Sequence, residues 1–226
     1  AVPIPASSLL TMPEVEWLVA HARPKAMAWD GVLALPPFAN ALGPETISAL
    51  KKAPRGVYAG TGSEDPAYMV YTSGSSGKPK GVLHAQRAIW GRRPMYQGWL
   101  GIGADDVLLH TGAFNWTYTL GVGLFDPFAN SATSVVYTSE KDASVWQRLM
   151  DEHGVTLFAS VPGVYRQLLR TGFAPPTGLR HGVSAGEGLP VPTLVAWRQQ
   201  TGRDIYEAIG MSEISTYISS SPSVPV

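Results

Sequence analysis

The amino-acid sequence predicts an α/β fold, a layered, largely parallel β-sheet flanked by helices. Three observations carry that expectation. Through the second half of the chain, short apolar runs of strand length alternate with segments of helical composition. The helical segment "DASVWQRLMDEHG" stops at a glycine, as helices commonly do. Polar, glycine-bearing loops, "TSGSSGKPKG", "SAGEG" and "GMSE", follow apolar runs, and ligands of such sheets gather beyond the carboxyl ends of the strands.

Taken in order, the first 60 residues are proline-rich and irregular. Thr11 with Glu14 three positions on makes a capping box, and Pro13 suits a first turn, so a short helix is expected through "EVEWLVAHA". "KAMAWDG" reads as a strand ending in a turn, and "AVPIP" has no preceding strand to pair with. After the apolar run "AYMV" and its loop, "HAQRAIWGRRPMYQGWLG" is helical in composition, with Gly91 and Pro94 breaking it into a bent helix or two short ones. "DVLLH" and "ATSVVYT" read as buried strands. "DASVWQRLMDEHG" puts Val145, Leu149, Met150 and His153 on one helical face and stops at Gly154. "VTLFAS", "LRHGVSAG" and "DIYEAIG" are strands separated by helices over "PGVYRQLLRTG" and "LPVPTLVAWRQQTG".

Composition narrows the function classes. The 226 residues carry 17 acidic and 17 basic side chains, so no basic stripe argues for a nucleic-acid partner. There is no cysteine, which excludes disulfides and thiolate metal sites and is compatible with a cytoplasmic location. No apolar run approaches the ~20 residues of a membrane span. His84, His110, His153 and His181 show no metal-ligand spacing, and "GVSAG" is out of register with a nucleophile elbow.

The stretch "YTSGSSGKPKG", Tyr71 to Gly81, calls for an oxyanion. Gly74, Gly77 and Gly81 can turn backbone N–H groups into a concave nest; Thr72, Ser73, Ser75 and Ser76 add hydroxyls; Lys78 and Lys80 add charge. Lys78 is followed by Pro79, so this is not the GxxxxGK[ST] loop, and no helix starts at Lys78. A second candidate is "YEAIGMSE": Gly210 permits a tight turn, Ser212 offers a hydroxyl, and Glu213 offers a carboxylate of the kind that binds Mg²⁺.

The string "YTSGSSGKPKG" closely resembles the phosphate loop of the adenylate-forming superfamily, which comprises acyl-CoA synthetases, luciferases and adenylation domains and is commonly written YTSGTTGxPKG. The resemblance implies that Thr72, Ser73, Gly74, Ser75, Ser76, Gly77, Lys80 and Gly81 embrace the β- and γ-phosphates of ATP, with both family threonines replaced by serine. "YEAIGMSE" resembles the family's YGxTE segment, which implies an α-phosphate contact for Ser212 and Mg²⁺ binding for Glu213, with Glu207, Ala208, Ile209 and Gly210 beside the nucleotide. Ile209 stands where a tyrosine is usual, a form similar to some benzoate- and aryl-CoA ligases. "SAGEGLP" resembles the segment lining the adenine and acyl pockets, at Ala185, Gly186 and Glu187. "LLHTGAFNWTYTLGVG" occupies the region of the carboxylate tunnel, where Phe114, Trp116, Tyr118 and Leu120 can form an apolar wall and Gly121 and Gly123 leave room.

Lys80, Ser212 and Glu213 are accordingly the expected catalytic residues, and none is a nucleophile, because the substrate carboxylate itself attacks phosphorus. The resemblance implies an acid–thiol ligase using ATP, Mg²⁺ and coenzyme A on a small aromatic or alicyclic acid. A carrier-protein acceptor and a non-catalytic nucleotide-binding piece are the alternatives. It also implies that 1–60 is an incomplete N-terminal portion of the family's large domain and 61–226 the nucleotide- and acyl-binding core. The family's lid, with its adenylation lysine, has no counterpart in this sequence. A homo-oligomer is compatible with all of this.

Overall fold

The computed structural model describes residues 1–30, 36–72 and 79–224. Two units divide these residues: one of 6–61, and one of 1–5 with 62–226. The smaller unit holds helix α1 (Met12–Ala22), strands β1 (Met27–Ala28) and β2 (Ala41–Leu42), which pair in parallel, and helix α2 (Pro44–Lys52). The expected cap on α1 is present: the Glu14 carboxylate accepts from the Thr11 N–H and the Thr11 hydroxyl, each at 2.7 Å. "KAMAWDG" contributes a strand of only two residues.

The larger unit is built on a six-stranded sheet in the order β10-β9-β8-β7-β5-β6. Its strands are β5 (Val107–His110), β6 (Thr133–Val135), β7 (Leu157–Ser160), β8 (His181–Ser184), β9 (Ile205–Met211) and β10 (Ser215–Ser219). All neighbours run parallel except β9 and β10, which form an antiparallel hairpin. This is the expected largely parallel α/β sheet. Strands β5, β7 and β8 are largely buried and made of apolar or small residues except for His110 at the end of β5 and His181 at the start of β8, because apolar clusters cover both faces.

Three helices supply one cover. These are α7 (Ala143–His153), α8 (Pro162–Arg170) and α9 (Val191–Thr201), whose Trp146, Tyr165 and Trp197 are buried together with Phe158 of β7. The buried stripe of α7 is Ala143, Trp146, Leu149 and Met150, whereas His153 is solvent-exposed. Gly154 ends α7 in the left-handed region, at φ 59°. Short helices α3 (Arg87–Trp90) and α4 (Arg93–Met95) lead into a π-helical turn over Tyr96–Leu100, the expected broken helix. Trp99 at its end is fully buried and donates its indole N–H to the Tyr206 carbonyl at 3.0 Å.

Two expectations are corrected. "ATSVVYT" is not a buried strand: β6 is three residues at the sheet edge, exposed to partly buried, because one side has no neighbour. The residues after the glycine-rich loop do not go directly to helix. β3 (Pro66–Thr72) and β4 (Lys80–Ala85) form a separate antiparallel ribbon, with Thr72 opposite Lys80. "AVPIP" touches a later strand through one hydrogen bond, the Met69 N–H donating to the Pro3 carbonyl at 3.0 Å.

At the amino edge of the sheet Arg180 grips Asp106 through Nε–Oδ1 at 3.1 Å and Nη2–Oδ2 at 2.7 Å, and Thr156 adds its hydroxyl to Oδ1 at 2.6 Å. These bonds join the starts of β5, β7 and β8. The carboxyl edge is left to other residues.

Candidate active site

At that carboxyl edge lies a cavity of about 220 Å³. One wall comes from the segment after β5: Trp116 caps helix α5 (Thr117–Leu120), and Thr117 and Tyr118 follow. Tyr118 is fixed from behind, its hydroxyl lying 3.2 Å from both the Ser160 and Val183 carbonyls at the ends of β7 and β8. Burial pushes its phenol far above the usual range, so it stays neutral.

The second wall is Ala185 and Gly186, directly after β8. Gly186 has φ 95°, and a Cβ there would fall 2.5 Å from the Trp116 ring, so only glycine lets this turn pass over the indole. The third wall is the β9–β10 hairpin, with Gly210, Met211, Ser212, Ser215 and Thr216. Gly210 is extended within β9, so the expected tight turn is not there. The glycine is needed for another reason: a Cβ at 210 would lie 2.4 Å from the Ser215 carbonyl oxygen, across the hairpin.

Ser212 opens the turn of this hairpin, within hydrogen-bond reach (3.4 Å) of the Thr117 hydroxyl across the cavity. Glu213 follows it and is exposed. The turn leads into β10, not into a helix. His84 of β4 packs beside it: burial lowers the pKa of this imidazole, while its hydrogen bond to the Ser212 backbone and the Glu213 carboxylate pull it up. The ring stacks on Tyr68 at 4.6 Å.

The structure therefore brings together Trp116, Tyr118, Ala185, Gly186, Gly210 and Ser212. Other expected residues sit elsewhere. Phe114 packs against the cluster of Ala67, Tyr68, Val70 and Leu120, away from the cavity. Gly121 is buried, and a Cβ there would lie 2.4 Å from the Arg92 guanidinium carbon. Ala208 is core. Glu187 is exposed and lies 3.7 Å from Arg166 of α8. Glu207 turns its carboxylate to the Leu189 N–H at 2.5 Å, tying the loop after β8 to β9. Ile209 is 55% exposed, an apolar side chain open to a flat ring.

Of the glycine-rich loop, Thr72 and Lys80 face each other at the base of the β3–β4 ribbon and Gly81 follows; Ser73, Gly74, Ser75, Ser76 and Gly77 lie outside the described residues. Thr72 and Lys80 stand four positions along the ribbon from Tyr68 and His84, about 14 Å at strand rise.

Contributors not singled out from sequence include Thr117, Met211, Ser215 and Thr216 in the wall, and His84 and Arg92 behind it. Thr117 stands between two predicted wall residues, Trp116 and Tyr118, but Asn115 and Thr119 close by are polar too, so its hydroxyl alone did not mark it. His84 and Arg92 act through long-range packing and gave no local signal.

Chemically, the cavity sets two aromatic side chains, Trp116 and Tyr118, against hydroxyls of Thr117, Ser212, Ser215 and Thr216, with the exposed Glu213 carboxylate next in sequence to Ser212. Among the described residues no three His, Asp or Glu side chains gather into a metal cage. Glu213 nevertheless fits a Mg²⁺ ion that takes one protein carboxylate and completes its shell with phosphate oxygens and water.

The described residues form a largely parallel α/β sheet with a cavity at its carboxyl edge. The chain belongs to the AMP-binding enzyme family, which it matches over residues 1–225. It is 32% identical to the 3-hydroxybenzoate–CoA ligase of Aromatoleum sp. (strain CIB) over 173 residues, 75% of this chain and 31% of that protein. It is 30% identical to the benzoate–CoA ligase of Thauera aromatica over 235 residues, 94% of this chain and 44% of the relative. The chain thus spans less than half the length of these curated relatives. Its fold superposes on the anthranilate CoA ligase AuaEII in complex with anthranoyl-AMP with a TM-score of 0.92 at 24% identity, covering 100% of this chain and 48% of that one. The N-terminal subdomain of Klebsiella oxytoca NpsA gives 0.81 at 20% identity, covering 97% and 56%.

Proposed function

We propose that this chain carries the nucleotide- and acyl-binding part of an ATP-dependent, AMP-forming acid–thiol ligase that acts on a small aromatic acid. The observation that carries the reading is the cavity between Trp116, Tyr118 and Gly186 opening onto Ser212. The indole of Trp116 and the ring of Tyr118 in its wall suit a flat ring laid against them. The names of the relatives, benzoate and hydroxybenzoate ligases, support the same class.

In this reading the acid's ring lies between Trp116 and Tyr118, and its carboxylate oxygen attacks the α-phosphorus of ATP. The bond to the β-phosphate bridging oxygen breaks and pyrophosphate leaves. Ser212 donates to the α-phosphate oxygen, and Thr117, in turn, orients the Ser212 hydroxyl. Lys80 and the hydroxyls around Thr72 steady the departing pyrophosphate. Ile209 covers the adenine. When bound on Glu213, Mg²⁺ supplies further charge neutralisation at the phosphates. A thiol, taken here as coenzyme A, then attacks the acyl carbon, and AMP leaves.

Residues 1–60 are assigned to the family's large domain and 61–226 to its substrate-binding core. A cytoplasmic setting accords with the substrates, and among the described residues no helix is long and apolar enough to cross a membrane.

ATP–pyrophosphate exchange by the purified protein, run with benzoate, hydroxybenzoates, cyclohexanecarboxylate and hexanoate, tests the assignment. Exchange that depends on a ring acid is expected. Exchange with hexanoate alone would overturn the substrate class, and nucleotide binding with no acid-dependent exchange would favour a binding module.

A further inference from the structure

Arg92 and Asp126 form an ion pair sealed inside the larger unit, with side-chain exposures of 4% and 0%. The contact is two-pronged: Nε to Oδ1 at 2.7 Å and Nη2 to Oδ2 at 2.5 Å. Arg92 precedes α4, and Asp126 starts the short helix α6 (Asp126–Ala129), so the pair bridges two short elements. Gly121 leaves the space into which the guanidinium fits. Tyr68, Tyr96 and His84 are the titratable neighbours around it.

Isolating such a pair from water costs several kcal/mol per ion, and apolar side chains of similar volume commonly stabilise as well or better. Stability alone is therefore a poor reason for it. The remaining nitrogen supplies a better one: Arg92 Nη1 donates to the Ser215 hydroxyl. Ser215 is the first residue of β10, lines the cavity and holds φ 60°, a conformation costly for a residue with a Cβ. It pairs with Met211 across the hairpin, enclosing the turn of Ser212 and Glu213.

We propose that Arg92 is a positioning residue. Clamped by Asp126, it holds the left-handed Ser215 by its hydroxyl and so fixes the turn that presents Ser212 and Glu213 to the substrate; the functional consequence rests on the adenylation reading above. A buried apolar pair can fill the same space but cannot hold the hydroxyl, which distinguishes positioning from packing.

The test uses Ser215→Ala, which leaves the ion pair intact, the conservative Arg92→Lys, and the double variant Arg92→Met with Asp126→Leu. Hydrogen–deuterium exchange reads the turn directly, without activity. Amides of 211–216 are expected to exchange about tenfold faster in Ser215→Ala and in the double variant, the loss expected for a hydrogen bond from a charged donor. Amides of β7 and β8 should be unchanged and Arg92→Lys intermediate. In ATP–pyrophosphate exchange the same variants should raise the KM for ATP and lower kcat, in the same rank order. Unchanged protection of 211–216 in Ser215→Ala, with only a lowered melting temperature in the double variant, would show the pair to be structural and overturn the proposal. Faster amide exchange in a protein whose wild type shows no acid-dependent ATP–pyrophosphate exchange would retain the clamp and reject the adenylation reading instead.

Discussion

At the scale of single residues, Ser212 carries the sharpest expectation. Its hydroxyl faces the cavity within reach of Thr117, so Ser212→Ala should lower kcat for adenylation by about a hundredfold, the usual loss of one preorganised donor, with little change in melting temperature. Gly186→Ala probes the wall. With φ at 95° and the indole in the way, an alanine should cost about 1–3 kcal/mol in denaturant unfolding and disturb Trp116 fluorescence. His110 gives a pH prediction. Burial, then Lys141, lowers its pKa from 6.5 to about 3, while the Gly112 N–H donates to Nδ1 at 2.9 Å. Below pH 6.5 the unfolded chain takes up a proton that the folded chain refuses, so stability is full above 6.5 and falls by about 1.4 kcal/mol per pH unit toward 3. In His110→Asn, which retains an acceptor, the stability difference between pH 7 and pH 5 should shrink by about 2 kcal/mol; an unchanged difference would contradict the assignment. Sequence reading reached Ser212, Gly186 and Tyr118 because their residue types stand in motif-like strings. It did not separate Phe114 from Trp116, two residues apart, because the chain turns between them and sends one to the ribbon and the other to the cavity.

At the scale of elements, the β9–β10 hairpin and the loop after β8 form two walls of the pocket. Glu207 joins them through the Leu189 N–H. Glu207→Ala removes that acceptor and leaves a partly buried N–H unpaired, so it should raise the KM for the acid about tenfold and cost about 1–3 kcal/mol of stability. Steady-state kinetics with benzoate and a urea melt check both. Helices α7, α8 and α9 and strands β5, β7, β8 and β9 were legible because their apolar runs are long or periodic and punctuated by glycine or proline. β4 and β10 were not. "KGVLHA" and "STYIS" are short, mixed in polarity and only partly buried, so pairing with a neighbouring strand decides their structure more than their own pattern does. The face of α7 was placed one step off because Trp146, the largest side chain, sets the orientation while His153 stays in water.

At the scale of the whole molecule, the parallel sheet divides labour between its two edges. Asp106, Thr156 and Arg180 staple the amino edge, and the carboxyl edge collects Trp116 and Gly186 from two crossovers and Ser212 from the β9–β10 hairpin turn. That gathering was foreseeable from alternation of strands and helices, whereas the hydrogen bond from Met69 of β3 to Pro3 was not, since no local pattern announces a partner more than 60 residues away. The claim that unites these observations is that the bound acid's own oxygen attacks the α-phosphorus of ATP. Benzoate labelled with ¹⁸O in both carboxylate oxygens tests it most directly, with the purified protein, MgATP and hydroxylamine to trap the acyl group. Adenylate chemistry predicts that recovered AMP carries one ¹⁸O, because the trapping nucleophile breaks the acyl carbon–oxygen bond. AMP without label, or label found only in inorganic phosphate, would contradict it.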